Sequence, residues 1–521
     1  MEFVSDPPIA TKILKMKQRV RWQEAPLTQR QIDQTCLELA DAATEQTEFS
    51  FLVIGDSGSG PHRGHNPQRR VAEQLLAHRE QCRFILHTGD VIYLTGSKEY
   101  YHKNFIEPYR EFLVGGDRYQ EIAYDQMVFN LPFLPVPGNH DYYDLPIAYG
   151  ILAQITLPLR RLLHSQLDLD IGWQGSGQGN VYARAFLDYL KAWKTSAELE
   201  HHLDSYYTAS SETGRCLHYR SGVFTRLPNR YYTFRYGSID FFALDSNTFN
   251  APIPLTETQA GEQFRRSLEA QREAIDQQML EVTQEAARLN PQNPEEAERL
   301  DDLHAKLEQL AEVQKDITKQ LESTQMTVID QEQLEWLQQR LIQSWQQGIR
   351  GRVLFFHHPP YVTEATKWHQ AQTLAVRYRL QQVLDGVAKQ VGELTQGRPI
   401  VDLVLNGHAH CLEHLQTLDT GHADSYTNWI VCGGSGYSLR RQREEGPELP
   451  ATFADLEPDR SIAKSLLFVG RSGQGANKHR PYSCLRIDVQ PGCPPQFVVR
   501  PYVCDRYQRQ WHDYAIEPFV I

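Results

Sequence analysis

Short β-type runs that end in polar turns recur along this chain, and they constrain its fold more than any other feature. FSFLVIG (49–55), RFILHTGD (83–90), FLPVPGNHD (133–141), RVLFFHHPP (352–360), DLVLNGHAH (402–410) and NWIVCGG (428–434) each close in a cluster of Gly, Asn, Asp or His. Buried strands with polar tips belong to sheets whose ends build a site. Tyr231 to Leu244 alternates in two halves, YYTFRY and IDFFAL, about Gly237-Ser238, which predicts a two-residue hairpin. Helical patterns over 68–79 and 330–346 lie between the strands, so the chain reads as an α/β alternation with added hairpins.

Composition narrows the partners. Apolar residues make up 40% and charged residues 23% of the 521, the balance of a globular chain and not of a disordered or collagen-like one. The formal charge is −12 and the longest basic run of this kind is Arg440-Arg441, so no nucleic-acid polymer is expected as a partner. The apolar runs are strand-sized, far below the roughly 20 residues of a membrane span. The opening MEFVSDPPIATKILKMKQRVRW has an early acid, two prolines and no apolar h-region, so a cytoplasmic location is expected. The cysteines 36, 82, 216, 411, 432, 484, 493 and 504 show no metal-knuckle spacing and read as free, mostly buried thiols. Residues 1–48 are polar and mildly helical and read as an extension, with the ordered domain beginning at Phe49.

Residues 256–326 break the alternation. Phe264, Leu268, Ile275, Met279, Val282, Ala286 and Leu289, then Leu300, Leu303, Leu307, Leu310, Ile317 and Leu321, recur at heptad-like steps on either side of Asn290-Pro291-Gln292-Asn293-Pro294. Two helices folded back as an antiparallel coiled-coil hairpin are predicted. A self-contained hairpin is the simpler reading; a docking arm for a protein partner or a second copy is the sharper one.

Five strand tips carry metal-ligand types: Gly55-Asp56-Ser57-Gly58, Gly89-Asp90-Val91-Ile92-Tyr93, Gly138-Asn139-His140-Asp141, His357-His358-Pro359 and Gly407-His408-Ala409-His410. Each alone is weak, because such dipeptides are common turn formers. Together they offer carboxylate, amide and phenolate oxygens with imidazole nitrogens, the donor set of hard cations, beside glycines that let the backbone turn sharply.

In this order the motifs resemble those of the calcineurin-like metallophosphoesterases, and within them the purple acid phosphatase branch. Where the wider superfamily has Asp-x-His, this chain has Gly58 in place of the histidine, and Tyr93, three residues after Asp90, matches the phenolate of the purple branch. The resemblance implies a four-layer αββα sandwich of two mixed sheets and two metal ions. Asp56, Tyr93 and His410 would hold Fe(III); Asn139, His357 and His408 would hold a divalent Fe, Zn or Mn; Asp90 would bridge. His140 matches the family histidine that contacts phosphate and protonates the leaving group, and His358 is left facing substrate or packing. Hydrolysis of a phosphomonoester by a metal-bridging hydroxide is the implied reaction. Phosphodiester or nucleotide hydrolysis at the same centre, and a catalytically weak scaffold working through the hairpin, are the alternatives.

Neighbouring residues carry less. Asp141, Glu413 and His414 could orient ligands, and Gly433 to Gly436 offers either backbone N–H groups to phosphate or a tight turn. His62, His65, His87, His201 and His202 read as surface or packing residues. The insertions 95–132 and 144–230 read as a cap over the site, in which Trp173, Tyr182, Tyr206 and Tyr207 are taken as packing before stacking on a substrate. The chain is thus divided into the extension 1–48, a catalytic domain 49–440 and a β-rich extension 441–521 packing on the core.

Overall fold

The structure is a computed structural model and describes residues 4–41, 46–60, 62, 65–145, 175–290, 292–324, 327–451, 460–474 and 477–521. Eleven strands form one mixed sheet: β1 (Ile32–Leu39), β5 (Ala209–Ser211), β6 (Gly214–Tyr219), β7 (Tyr232–Tyr236), β8 (Ile239–Ala243), β9 (Gly351–Phe356), β10 (Leu403–Asn406), β11 (Leu412–Thr417), β12 (Asn428–Cys432), β13 (Glu448–Pro450) and β14 (Ser461–Val469). Their spatial order is 13-14-11-12-10-9-8-7-1-6-5. A second sheet of seven contains β2 (Phe49–Ile54), β3 (Ile85–His87), β4 (Phe133–Pro135), β15 (His479–Gln490), β16 (Gln496–Tyr507), β17 (Gln510–Ala515) and β18 (Phe519–Val520), ordered 17-16-15-2-3-4 with β18 on β16.

Strand alternation explains how the sheets stack. Phe241, Val353, Phe355, Leu405 and Ile430 point into the core shared with the seven-stranded sheet, whereas Phe242, Leu354, Phe356, Val404 and Val431 point to the opposite face. That opposite face is covered by α5 (Gln331–Gln346) and α6 (Ala371–Val391) through Leu337, Leu341, Leu380 and Leu384. On the far side, α2 (Pro67–His78) lies on β15 and β16. The result is the four-layer αββα sandwich of two mixed sheets. Gly237 and Ser238, at φ +56° and +58°, make the two-residue turn between β7 and β8, the left-handed pair that a type I′ hairpin requires.

Two boundaries differ from the sequence reading. Residues 1–48 are no mere extension, because β1 pairs with β6 and β7 inside the large sheet. Its polar residues hid it: the buried Gln34 donates to the Val20 carbonyl at 2.7 Å, and the half-buried Asp33 pairs with Arg340, so both have partners. Residues 441–521 do not pack on a finished core either. β14 pairs with β11, and the twelve residues of β15 lie between β2 and β16, with Leu485 opposite Val53 and Ile487 opposite Phe51.

The helical hairpin comprises α3 (Gln259–Ala286) and α4 (Pro294–Glu322), 28 and 29 residues long. Leu268, Ile275 and Ile317 form its buried seam, with Met279, Leu310, Val313 and Leu321 packed against them. Among the described residues no helix is long and apolar enough to cross a membrane.

Candidate metal centre

β2, β3 and β4 are parallel neighbours, as are β8, β9, β10 and β12. The carboxyl ends of parallel strands line one edge of a sheet, where ligand sites of α/β proteins form. Asp56, Asp90 and Asn139 leave the small sheet at this edge and His357, His408 and His410 leave the large one, so the site lies between the two sheets. Asp56, Asp90 and His408 have φ of +55°, +54° and +66°, a region costly for a side-chain-bearing residue and concentrated at functional sites.

The seven expected ligands converge in two groups joined by Asp90. Tyr93 Oη donates to Asp56 Oδ1 at 2.8 Å and lies 3.2 Å from His410 Nε2, which is 3.6 Å from the same carboxylate oxygen. His357 Nε2 is 2.9 Å from Asn139 Oδ1 and 3.3 Å from Asp90 Oδ2. His408 joins the second group, its ring centroid 5.0 Å from that of His357. All seven are buried.

The donor set fits cations. His357 and His410 donate Nδ1–H to the carbonyls of Thr88 (2.9 Å) and Ser438 (3.0 Å), which leaves each Nε2 lone pair facing the cluster, the arrangement that orients metal-ligating imidazoles. Asp90 Oδ2 and His408 Nε2 are buried without a hydrogen-bond partner. Burial and the neighbouring Asp90 charge push Asp56 up to about 8, while Asp90 raises His357, against its burial, to about 9. Burial holds His408 and His410 well below the usual imidazole range, so both are neutral. Without added positive charge the cluster therefore retains protons, and cations would replace them.

The DxG and GDxxY departures share one steric cause. A Cβ on Gly58 would sit 1.8 Å from the Val91 carbonyl oxygen, and Tyr93 N–H donates to the Gly58 carbonyl at 3.0 Å. Position 58 is bare because the segment carrying Tyr93 crosses it. Asp141 braces the same crossing, accepting from the N–H groups of Gly138 (2.9 Å), Val91 (3.2 Å) and Ile92 (3.3 Å).

His140 Nδ1–H donates to the Leu94 carbonyl at 2.7 Å, which turns Nε2 toward Asp90, 4.0 Å away. His358 lies beside His408, but both its ring nitrogens are engaged, Nδ1 with Ser246 Oγ at 2.8 Å and Nε2 with Asn250 at 3.3 Å. Glu413 and His414 are turned away from the cluster, toward Thr363 and Asn428. His62 meets the Gly436 carbonyl and His65 packs near Trp511. His87 lies beneath the site against Ser57, and His202 pairs with Asp188. His201 is exposed. Gly433 and Gly436 serve close approach, since a Cβ there would meet the Ala409 and Ser57 carbonyl oxygens at 2.1 and 2.4 Å. Tyr182, Tyr206 and Tyr207 bond or stack with Pro135, Phe224 and Asp188; Trp173 lies outside the described residues. Sequence reasoning missed Tyr437, which stacks on Tyr93 with centroids 4.0 Å apart, and gave no sign of it beyond the preceding glycines.

Fold and site together define a buried cluster of carboxylate, phenolate, amide and imidazole donors between two sheets, suited to cations. Residues 49–266 match the family model for calcineurin-like phosphoesterases. Solved structures similar to it include the purple acid phosphatase PPD1 of yellow lupin (Lupinus luteus), at 12% identity and TM-score 0.37, over 92% of this chain and 54% of that one. The chain thus spans about half the length of the lupin protein. Others are GAP50, the anchor in the inner membrane complex of Plasmodium (12%, TM-score 0.36, 90% and 89%), and a dimetal phosphatase of Danio rerio (13%, TM-score 0.34, 91% and 98%). No curated protein matches the sequence.

Proposed function

We propose that the chain hydrolyses phosphomonoesters, with Fe(III) held by Asp56, Tyr93 and His410, a divalent Fe, Zn or Mn held by Asn139, His357 and His408, and Asp90 between them. The observation that carries the reading is Tyr93, whose Oη lies within hydrogen-bond distance of both Asp56 and His410 and offers a phenolate donor suited to a ferric ion. Bound cations supply Lewis acidity toward phosphoryl oxygens and lower the pKa of water.

The chain's own residues do the rest. His140, fixed through Nδ1 by Leu94, presents Nε2 to the site and, once Nε2 has taken up a proton, would pass it to the leaving oxygen and return to the neutral ring. His358, with both nitrogens occupied by Ser246 and Asn250, acts as a positioning residue beside His408. Asp141 keeps the Asp90 and Asn139 turns in register through three backbone N–H groups.

Metal analysis and a visible spectrum of protein purified without chelator, followed by assays with p-nitrophenyl phosphate and its bis ester, test the reading. Faster turnover of the monoester, together with a visible band in iron-containing protein, is the expected result. Metal-loaded protein that hydrolyses neither ester would overturn it, and preference for the bis ester would move the assignment to a phosphodiesterase.

A further inference from the structure

The helical arm meets the body through charges. Its apolar seam is closed within the arm and is separate from both large cores. The opposite stripe of α4 recurs every three or four residues and is polar. Asp302 pairs with Arg471 at 2.9 Å, Glu312 with Lys367 at 2.8 Å, and Lys319 with Asp6 at 2.6 Å. Asp316 accepts from the backbone N–H of Ala371 (2.8 Å) and Gln372 (3.3 Å), so the arm caps α6, whose own preceding residue, Gln370, provides no side-chain cap. A helical unit with its own seam and a polar docking face has the character of a reversible inter-domain contact.

That docking face lies over the metal centre. Glu308 lines one cavity with Tyr93 and Tyr437, whose rings stack on each other. Lys315 Nζ sits 3.8 Å from the ring centroid of Tyr143, itself 4.9 Å from the His140 ring. Arg440, whose N–H donates to the His410 carbonyl at 2.9 Å, is met by the Ala305 carbonyl of α4 at 3.5 Å. Lys367 and Arg440 are buried at 2% and 1% exposure. Buried cations require opposite charge or hydrogen-bond acceptors, and α4 supplies both, Glu312 to Lys367 at 2.8 Å and the Ala305 carbonyl to Arg440. With the arm lifted, both cations would lose those partners next to the phosphoryl site.

We propose that the arm is a gate over the metal centre, and that Lys367 and Arg440, closed off by Glu312 and the Ala305 carbonyl, receive a second anionic group of the phosphate-ester substrate when the gate opens. The proposal rests on the phosphoesterase reading. It assigns the substrate class as esters with a further phosphate or carboxylate, whose charge takes over the pairing that Glu312 provides in the closed state.

Spin labels at Leu280→Cys on the arm and Leu394→Cys on the body, both exposed positions, in a Cys36→Ser, Cys493→Ser background of the full metal-loaded chain, would report the gate by electron–electron distance. Propane-1,3-diol bisphosphate is expected to shift the distance distribution where the monophosphate does not, and Glu312→Gln to shift it without ligand. The ratio of kcat/KM for bisphosphate over monophosphate is expected to fall about tenfold or more in Lys367→Met, the loss of one charge-assisted contact. Hydrolysis of the monophosphate with a distance distribution that neither ligand nor Glu312→Gln moves, and a ratio indifferent to Lys367→Met, would overturn the gate alone. A protein that hydrolyses neither ester yet still opens on the bisphosphate would sink the phosphoesterase reading and leave the gate standing.

Discussion

Replacing Gly58 with alanine adds one methyl group at the point where the Tyr93 segment crosses the Asp56 turn. That Cβ would meet the Val91 carbonyl oxygen at 1.8 Å, the Val91 carbonyl carbon at 2.4 Å and Ile92 Cα at 2.5 Å, all backbone atoms that cannot rotate aside. Taking the closest of these from 1.8 to 3.0 Å moves the crossing segment by at least 1.2 Å. The Tyr93–Asp56 hydrogen bond, 2.8 Å long, does not survive a stretch of that size. Overpacking costs about 1–3 kcal/mol and an unpaired buried acceptor about 1–3 more, so the metal-free protein should lose roughly 2–6 kcal/mol in urea unfolding. Metal affinity should fall about 10- to 100-fold, as it does when a ligand's support is removed. Tyr93→Phe removes the same oxygen without touching the crossing, so in the double variant the two losses of metal affinity should overlap and not add. Full additivity, or a Gly58→Ala protein within about 0.5 kcal/mol of the parent, would refute the claim that this crossing positions the phenol.

Other perturbations probe the centre and the arm. Tyr93→Phe should abolish the visible band of iron-saturated protein, because the ring keeps its stacking on Tyr437 while the donor oxygen is lost. Asp141→Ala should cost roughly 2–4 kcal/mol in chemical denaturation, since three backbone N–H groups lose their acceptor. Although burial would raise Glu312, Lys367 and Arg440 hold it down to about 2 against an ordinary value of 4.5. Its folded-state pKa is depressed, so its contribution to arm closure is complete above about pH 4.5 and fades as pH falls toward 2; spin-label distances followed from pH 6 to 3 should show opening that Glu312→Gln already has at pH 6.

The metal tips were legible because each ligand sits a few residues past the strand that presents it, and strand, turn and ligand types fall within one short window, as in Ile54 to Asp56 and Phe356 to His357. The Gly237-Ser238 turn and the arm's leucine spacing are local in the same way. Pairing across long separations left no such mark. Nothing in HRPYSCLRIDVQ says that it will lie beside β2 and not at an edge, and β1 reads as polar because its buried Gln34 and half-buried Asp33 find partners only in the folded chain. The charged stripe of α4 has the composition of a solvated helix face. Its docking became visible only once Lys367, Asp6 and the amino end of α6, drawn from separate parts of the chain, were seen to face it. His358 illustrates the same limit, since adjacent histidines differ only in where their ring nitrogens point.

The insertion of β15 between β2 and β16 has a consequence for biosynthesis. The strand that delivers Asp56 has β3 on one side from early in translation, but its other neighbour is encoded by residues 479–490. A nascent chain that has already exposed Asp56, Asp90 and Asn139 would still carry an open strand edge, a ready template for mispairing, until residues 479–490 have left the ribosome. The acidic carboxylates gathered early would wait, unsheeted on one flank, for the histidines and the closing strand. Premature termination anywhere before β15 should therefore leave an aggregation-prone fragment and not a smaller folded unit.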